Sequence, residues 1–134
     1  MSPSIVDYFK IVSQIVVYND NNMIVIDKNL QDVLIAELEN LTKDSHEMPA
    51  YSVALDNEVR TSITKGLWIE LIFNNTIIHN EMPFDKLLIE VNANNQGFNL
   101  IRHHDNIYEG RCYYLSLNSS MEKLYNTIIK IIKK

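Results

Sequence analysis

The sequence is poor in the residues that make cross-links and thiol chemistry. It contains one cysteine, Cys112, so an intrachain disulfide and a zinc site built from cysteines are both excluded. Cys112 stands in an apolar stretch from Arg111 to Leu115, where a packed thiol is a better interpretation than a nucleophile. Cysteine chemistry therefore supplies no functional hypothesis.

Glycine and proline are also scarce, with three of each in 134 residues. Flexible linkers are rich in such residues, so we interpret residues 1–134 as a single domain of ordinary size. Phosphate-binding loops need closely spaced glycines, and neither G-x-G-x-x-G nor a Walker loop occurs; G-x-S-x-G is absent as well. The sequence therefore predicts no cofactor.

Positive charge is limited, because 12 Lys and Arg residues stand against 17 Asp and Glu residues, a net charge of −5. The basic cluster Lys130, Lys133 and Lys134 ends the chain, where cations complement a helix dipole. Nucleic-acid binding rests on clustered cations, so we expect no nucleic-acid partner. The acidity suits a protein partner with a basic surface.

Long apolar runs are missing too. No stretch approaches the ~20 apolar residues that span a bilayer. The start, Met1 to Ser4, lacks the basic segment and apolar core of a signal peptide. From these two absences we expect no membrane partner and a cytoplasmic location.

What the sequence does have is clear periodicity. Apolar residues at helical spacing predict one helix from Ile5 to Ile15 and another from Leu30 to Leu41,. Two apolar runs around the turn-rich segment 19–22 favour a β-hairpin between these helices. A longer first helix followed by one strand is the alternative.

The middle of the chain has a weaker pattern. Polar residues 42–49 predict a surface loop, and Tyr51, Val53 and Leu55 alternate as in a short strand,. Residues 56–65 are predicted to be irregular or weakly helical.

From Gly66 the period changes to two, which is typical of strands. The predicted strands cover residues 67–73, 76–79, 86–91, 98–104 and 111–117, and Asn74-Asn75 is a tight-turn candidate,. An amphipathic helix ends the chain. The predicted fold class is α+β: two N-terminal helices with the hairpin, a four- to five-stranded antiparallel meander, and a C-terminal helix packed on the sheet.

Alternation divides the meander into two faces. The first is wholly apolar and needs a cover; its members are Leu67, Ile69, Leu71, Phe73, Leu87, Ile89, Val91, Phe98, Leu100, Tyr113, Leu115 and Leu117. The opposite side, called the second face below, mixes aromatic, apolar and acidic residues. If exposed, it predicts a patch for a basic partner, with contact candidates Trp68, Glu70, Ile72, Leu88, Glu90 and Tyr114. The alternative is that the two N-terminal helices cover it.

Titratable residues gather at one place in the sequence. His103, His104 and Asp105 are consecutive, and His79 joins them if the strands pair. These four are the candidates for a metal site or for general acid–base catalysis. However, consecutive strand residues point to opposite sides, and no H-E-x-x-H spacing occurs. We therefore predict neither a metal site nor a catalytic site.

The leading functional hypothesis is a non-enzymatic protein-binding module. Its sharpest form is a small acidic inhibitor or immunity-type protein that occupies a basic site on a toxin or nuclease. One alternative is a small hydrolase or nuclease that uses the histidine cluster. Another is a structural or assembly subunit that associates through an open sheet edge.

Overall fold

The computed structural model describes residues 3–52 and 54–133. Within them the chain forms a 3₁₀ helix, three α-helices and seven strands. In chain order these are the 3₁₀ helix Ile5–Ile11, β1 Gln14–Asn19, β2 Asn22–Val25, α1 Lys28–Leu41, β3 His46–Ser52, α2 Asp56–Ser62, β4 Leu67–His79, β5 Met82–Glu90, β6 Gly97–His104, β7 Ile107–Ser116 and α3 Glu122–Ile132. Met1, Ser2, Val53 and Lys134 lie outside the described residues.

The seven strands form one antiparallel sheet in the order β2-β1-β4-β5-β6-β7-β3. The hairpin-connected strands β4 to β7 make its centre. β1 pairs with β4, with Val17 opposite Ile69. β3 pairs with β7, with His46 opposite Ser116. Strands from the N-terminal half of the chain therefore form both edges.

The predicted fold class is wrong, because the sheet has seven strands instead of four or five. The helix predicted from Ile5 to Ile15 is a short 3₁₀ helix that ends at Ile11, and the hairpin β1–β2 belongs to the main sheet. The molecule is chiefly an antiparallel sheet with helices packed on it, and α+β describes it only roughly. Ile15 is β-branched and pairs with Leu71 of β4, so at this residue long-range pairing overrides the local helical spacing.

Two connections also differ from the prediction. The predicted loop 42–49 contains the start of β3, an edge strand, where polar side chains are tolerated because they meet solvent. The predicted turn Asn74-Asn75 lies inside β4, and the hairpin turns at Asn80-Glu81, both with positive φ. Asn74-Asn75 falls where the register of β4 against β5 shifts, so the extra residues form a bulge instead of a turn.

The predicted apolar face is confirmed as the core of the protein. All twelve of its residues belong to one buried cluster. That cluster also contains Ile5 and Phe9 of the 3₁₀ helix, Leu38 of α1, and Leu124 and Ile128 of α3. Three helical segments therefore cover this face of the sheet.

The second face has a different cover. α2 lies over it, and Val59 packs in a separate buried cluster with Trp68, Leu88, Ile101, Tyr108 and Cys112. The N-terminal helical segments pack on the first face, so they do not cover the second one. A seven-residue helix is too short to span a sheet of this width, because it extends only about 10 Å.

Within the described residues, the structure contains no helix with the length and apolar character needed to cross a membrane.

Candidate functional site

A pocket of about 460 Å³ opens on the second face beside α2. Its apolar walls include Trp68, Ile101 and Tyr114 from the sheet, together with Val59 from α2. Its polar wall is formed by Glu90, Asn95, Gln96 and Asn99. The pocket therefore has both apolar and polar walls, and its volume is within the range of roughly 300–1,000 Å³ seen for ligand sites.

The wall formed by α2 is held in place by Asp56. Its carboxylate accepts hydrogen bonds from the Tyr108 amide at 2.7 Å and from Arg60 Nε at 2.9 Å. Arg60 Nη2 also donates to the Asn106 carbonyl at 2.9 Å. The hydrogen bond from Arg60, and then that from the Tyr108 amide, lower the pKa of Asp56. This network fixes α2 to the β6–β7 hairpin.

Tyr114 reaches the pocket because Gly97 lies beneath it. A Cβ at position 97 would overlap the Tyr114 hydroxyl and would lie 2.8 Å from the Leu115 carbonyl oxygen. Close approach of an aromatic ring to a strand glycine is therefore a requirement of this wall. Beside it, the Tyr51 hydroxyl donates to Asn99 Oδ1 at 2.6 Å, which sets the orientation of the Asn99 amide.

Trp68 and Glu90 lie directly opposite each other on β4 and β5. The indole Nε1 of Trp68 donates to the Lys65 carbonyl at 2.8 Å, so its ring is fixed as a wall. Glu90 is exposed, and its carboxylate makes no hydrogen bond or ion pair with any residue between 3 and 52 or 54 and 133. The pocket thus combines a fixed aromatic surface with a free carboxylate.

Glu70 has the opposite environment. It is 1% exposed, and its carboxylate accepts hydrogen bonds from the Tyr18 hydroxyl at 3.1 Å and the Tyr108 hydroxyl at 2.5 Å. Burial and the adjacent Glu70 charge raise the pKa of Tyr18 to about 12 and raise that of Tyr108 further. Both tyrosines therefore remain protonated donors, and Glu70 is an internal structural group.

The six predicted contact residues separate into distinct environments. Trp68, Glu90 and Tyr114 line the pocket. Glu70 and Leu88 are fully buried beneath the second face, and Ile72 is half-buried outside the pocket. A structure that buries Glu70 leaves Glu90 as the acidic contact candidate at the pocket.

The four histidine-cluster candidates do not converge. His79 is buried beside the first face, with Nε2 2.8 Å from Glu47 Oε2. His103 lies on the second face, with Nδ1 2.6 Å from Asp85 Oδ1. The strands that carry them, β4 and β6, are separated by β5. His104 is half-buried, and Asp105 is an exposed turn residue with φ of 56°.

No group of three or more His, Cys, Asp or Glu side chains among the described residues is arranged to hold a metal ion. Cys112 is fully buried, as the sequence predicts, and burial raises the pKa of its thiol to about 11. A protonated, inaccessible thiol is a poor nucleophile.

Several important residues have no strong signal in the sequence. Asp85 and Glu47, the partners of the two buried histidines, are distant from them in the chain. The helix α2 and its anchor Asp56 lie in a segment predicted to be irregular or weakly helical, and the structure shows a short helix there. Gly97 is the exception: with only three glycines in the chain, one at the start of a strand indicates a close approach by another group.

Comparison of the chain with protein-family models, with curated proteins and with solved structures gives no match.

Proposed function

We propose that this protein is a non-enzymatic protein-binding module, and that its pocket on the second face contacts a partner with a basic surface. The observation that carries the proposal is the pocket itself, which has Trp68 and Tyr114 in its walls and the free carboxylate of Glu90 beside them. Tryptophan and tyrosine in concave surroundings are frequent energetic centres of protein interfaces.

The surface extends beyond the pocket. Tyr114 also lines a shallower hollow of about 320 Å³ with Met48, Pro49 and Tyr51 at the β3 edge. Met48 and Tyr51 are both nearly half exposed, at 46% and 45%. Tyr, Trp and Met are enriched in the centres of interfaces. The pocket and this hollow therefore form one continuous surface for a protein partner.

The charge of the chain favours a basic partner. A net charge of −5 attracts a positive surface and mainly increases the association rate. The sharpest form of the proposal is an inhibitor or immunity-type protein that occupies a basic site on a toxin or nuclease. We place this encounter in the cytoplasm.

The two edge strands of the sheet favour binding through the second face over pairing of an edge strand with another chain. β2 has four residues, and β3 contains Pro49 and a register shift between Met48 and Tyr51. Short strands, proline and bulges are features that protect an edge from pairing with another chain. An assembly subunit that pairs through these edges is therefore a weaker alternative. The alternative of a hydrolase that uses the histidine cluster is also weaker, because His79 and His103 lie on strands that are separated by β5.

The proposal is tested with three tagged proteins: wild type, Glu90→Lys, and Glu39→Lys. Glu39 is an exposed residue of α1 on the other side of the sheet, so its variant carries the same charge change away from the pocket. Proteins retained from a lysate of the source cells are identified, purified and measured again as isolated pairs.

We expect a basic protein that binds wild type and Glu39→Lys but not Glu90→Lys. Its association rate should fall steeply between about 50 mM and about 200 mM salt, because screening shortens the range of electrostatic attraction. Failure to find any partner that depends on Glu90, or a purified pair insensitive to salt, would contradict the proposal.

A further inference from the structure

We propose that the pocket receives one arginine side chain of the partner, with its guanidinium group between Trp68, Tyr114 and the carboxylate of Glu90. This inference rests on the proposed function and specifies the group that is recognised. Its basis is the combination of a free anion, aromatic walls and neighbouring apolar side chains in one pocket.

The free anion is the first element of the argument. On the second face, the carboxylate of Glu70 already accepts hydrogen bonds from two tyrosine hydroxyls. The carboxylate of Glu90 is exposed and has no hydrogen-bond or ion-pair partner among the residues that the structure describes. Arg60, the cation of α2, is bound to Asp56 and the Asn106 carbonyl. Glu90 is therefore available to a cation from outside the chain.

The aromatic walls are the second element. A guanidinium or ammonium group is attracted to the face of an aromatic ring, most strongly to tryptophan. The Trp68 ring is held in place, since its Nε1 donates a hydrogen bond to the Lys65 carbonyl, and the Tyr114 side chain packs over Gly97. Little conformational entropy is lost when a fixed ring receives a ligand, which favours binding.

The chemistry of the remaining lining selects arginine over lysine. Asn95 and Asn99 line the pocket with Glu90, so polar residues lie at more than one point of the wall. A planar guanidinium has five donors in a fixed fork and is weakly hydrated, whereas an ammonium group is a compact and strongly hydrated charge. Val59 and Ile101 offer apolar contact to the methylene stem of the side chain,.

Binding in the pocket can be followed by tryptophan fluorescence, because Trp68, which lines the pocket, is the single tryptophan of the chain. Its fluorescence is followed while the purified protein is titrated with three peptides whose termini are blocked: Gly-Arg-Gly, Gly-Lys-Gly and Gly-citrulline-Gly. Citrulline keeps the shape of arginine but is neutral. Glu90→Gln and the matched variant Glu39→Gln are titrated in the same way.

We expect a saturable change with the arginine peptide and an affinity lower by about tenfold or more for citrulline, the usual effect of losing a charged hydrogen bond. The lysine peptide should bind about threefold or more weakly than the arginine peptide, equivalent to one net hydrogen bond. Glu90→Gln should reduce the preference for arginine over citrulline by about tenfold, and Glu39→Gln should leave it unchanged.

The inference is overturned if no peptide binds, if citrulline binds as well as arginine, if lysine binds as well as arginine, or if Glu90→Gln keeps the preference. In each of these cases a partner that depends on Glu90 would still support the proposed function. Conversely, arginine binding without any such partner would contradict the protein-binding proposal and leave the pocket as a site for a small cationic ligand. Equal thermal unfolding of Glu90→Gln and wild type checks that the fold is intact.

Discussion

The buried carboxylate of Glu70 is the most demanding single group in the molecule. A charge removed from water needs hydrogen bonds to stabilise it, and two tyrosine hydroxyls provide them. The two donors are unequal, because Tyr108 is 5% exposed and Tyr18 is half-buried. Water has better access to the bond made by Tyr18 than to the one made by Tyr108.

Removal of the Tyr108 hydroxyl is therefore expected to be costly. Tyr108→Phe should lower the free energy of unfolding by about 1–3 kcal/mol, since it leaves a buried oxygen of Glu70 without a donor. Tyr18→Phe should lower it less. Urea unfolding measures both effects, and Tyr125→Phe is the control, because the Tyr125 hydroxyl has no hydrogen-bond partner among the described residues. Equal stability of Tyr108→Phe and wild type would contradict the structural role of Glu70.

Cys112 predicts a specific dependence on alkaline pH. Its pKa rises from 9.0 to about 11 on burial, so between these values the folded protein keeps a proton that the unfolded chain releases. Unfolding then becomes more favourable as pH increases. Stability should fall from pH 9 to pH 11, and Cys112→Ala should show a shallower fall. Urea unfolding at pH 8, 9, 10 and 11 measures the difference; parallel curves for the two proteins would contradict it.

At the scale of elements, the contact between Gly97 of β6 and Tyr114 of β7 couples the sheet to the pocket wall. Gly97→Ala should cost about 1–3 kcal/mol, because the new methyl group has to displace the Tyr114 ring,. In a Tyr114→Ala background the same change should cost less by about 1 kcal/mol or more. The residual cost comes from the Leu115 carbonyl. A double-mutant cycle by urea unfolding gives the coupling, and additive effects would show that the ring is not held by this contact.

The attachment of α2 gives a second prediction at this scale. Asp56→Ala removes the acceptor of both the Tyr108 amide and Arg60, so amides of α2 should exchange with solvent faster than in wild type. Asp32→Ala, at an exposed position of α1, is the control. Because the pKa of Asp56 is lowered in the folded protein, its contribution is present above the ordinary value of 3.8 and should be lost as pH falls below it. Unchanged exchange in Asp56→Ala would contradict the role of this anchor.

Strands with regular alternation were predictable from the sequence, and helical spacing in the first 15 residues was misleading. In the segment from Leu67 to Phe73, successive side chains point alternately into the core and toward the second face. Such alternation is visible in the local sequence, so it can be predicted without knowledge of the fold. The local turn signal correctly placed Val16 and Val17 in a hairpin strand. Ile15 satisfies both helical spacing and strand preference, and its pairing with Leu71 of β4, some 50 residues away, decides between them. The pocket was partly predictable for the same reason: Trp68, Glu90 and Tyr114 follow from alternation, whereas α2 does not.

At the scale of the whole molecule, the protected edges predict a monomer. Light scattering should give a mass near 15.6 kDa that does not change across a concentration series. A mass that grows with concentration would favour the assembly alternative. If that association uses the β2 edge, the variant Val25→Lys should restore the monomer. Val25 of β2 is 51% exposed, and a lysine on an edge strand opposes its pairing with another strand.

The order of the strands has a consequence for how the chain folds as it is synthesised. β1 and β3 leave the ribosome early, but the strands β4 and β7 that pair with them are made later. His46, for example, cannot pair until Ser116 has been synthesised. β1 can pair with β2 as soon as both are made, but the other side of β1 and the whole of β3 stay unpaired until β4 and β7 exist. Such distant pairings slow folding and leave strand edges exposed in the meantime. Chains that stop before β7 should consequently be targets for chaperones and proteases, even though β1, β2, α1 and β3 have been translated in full.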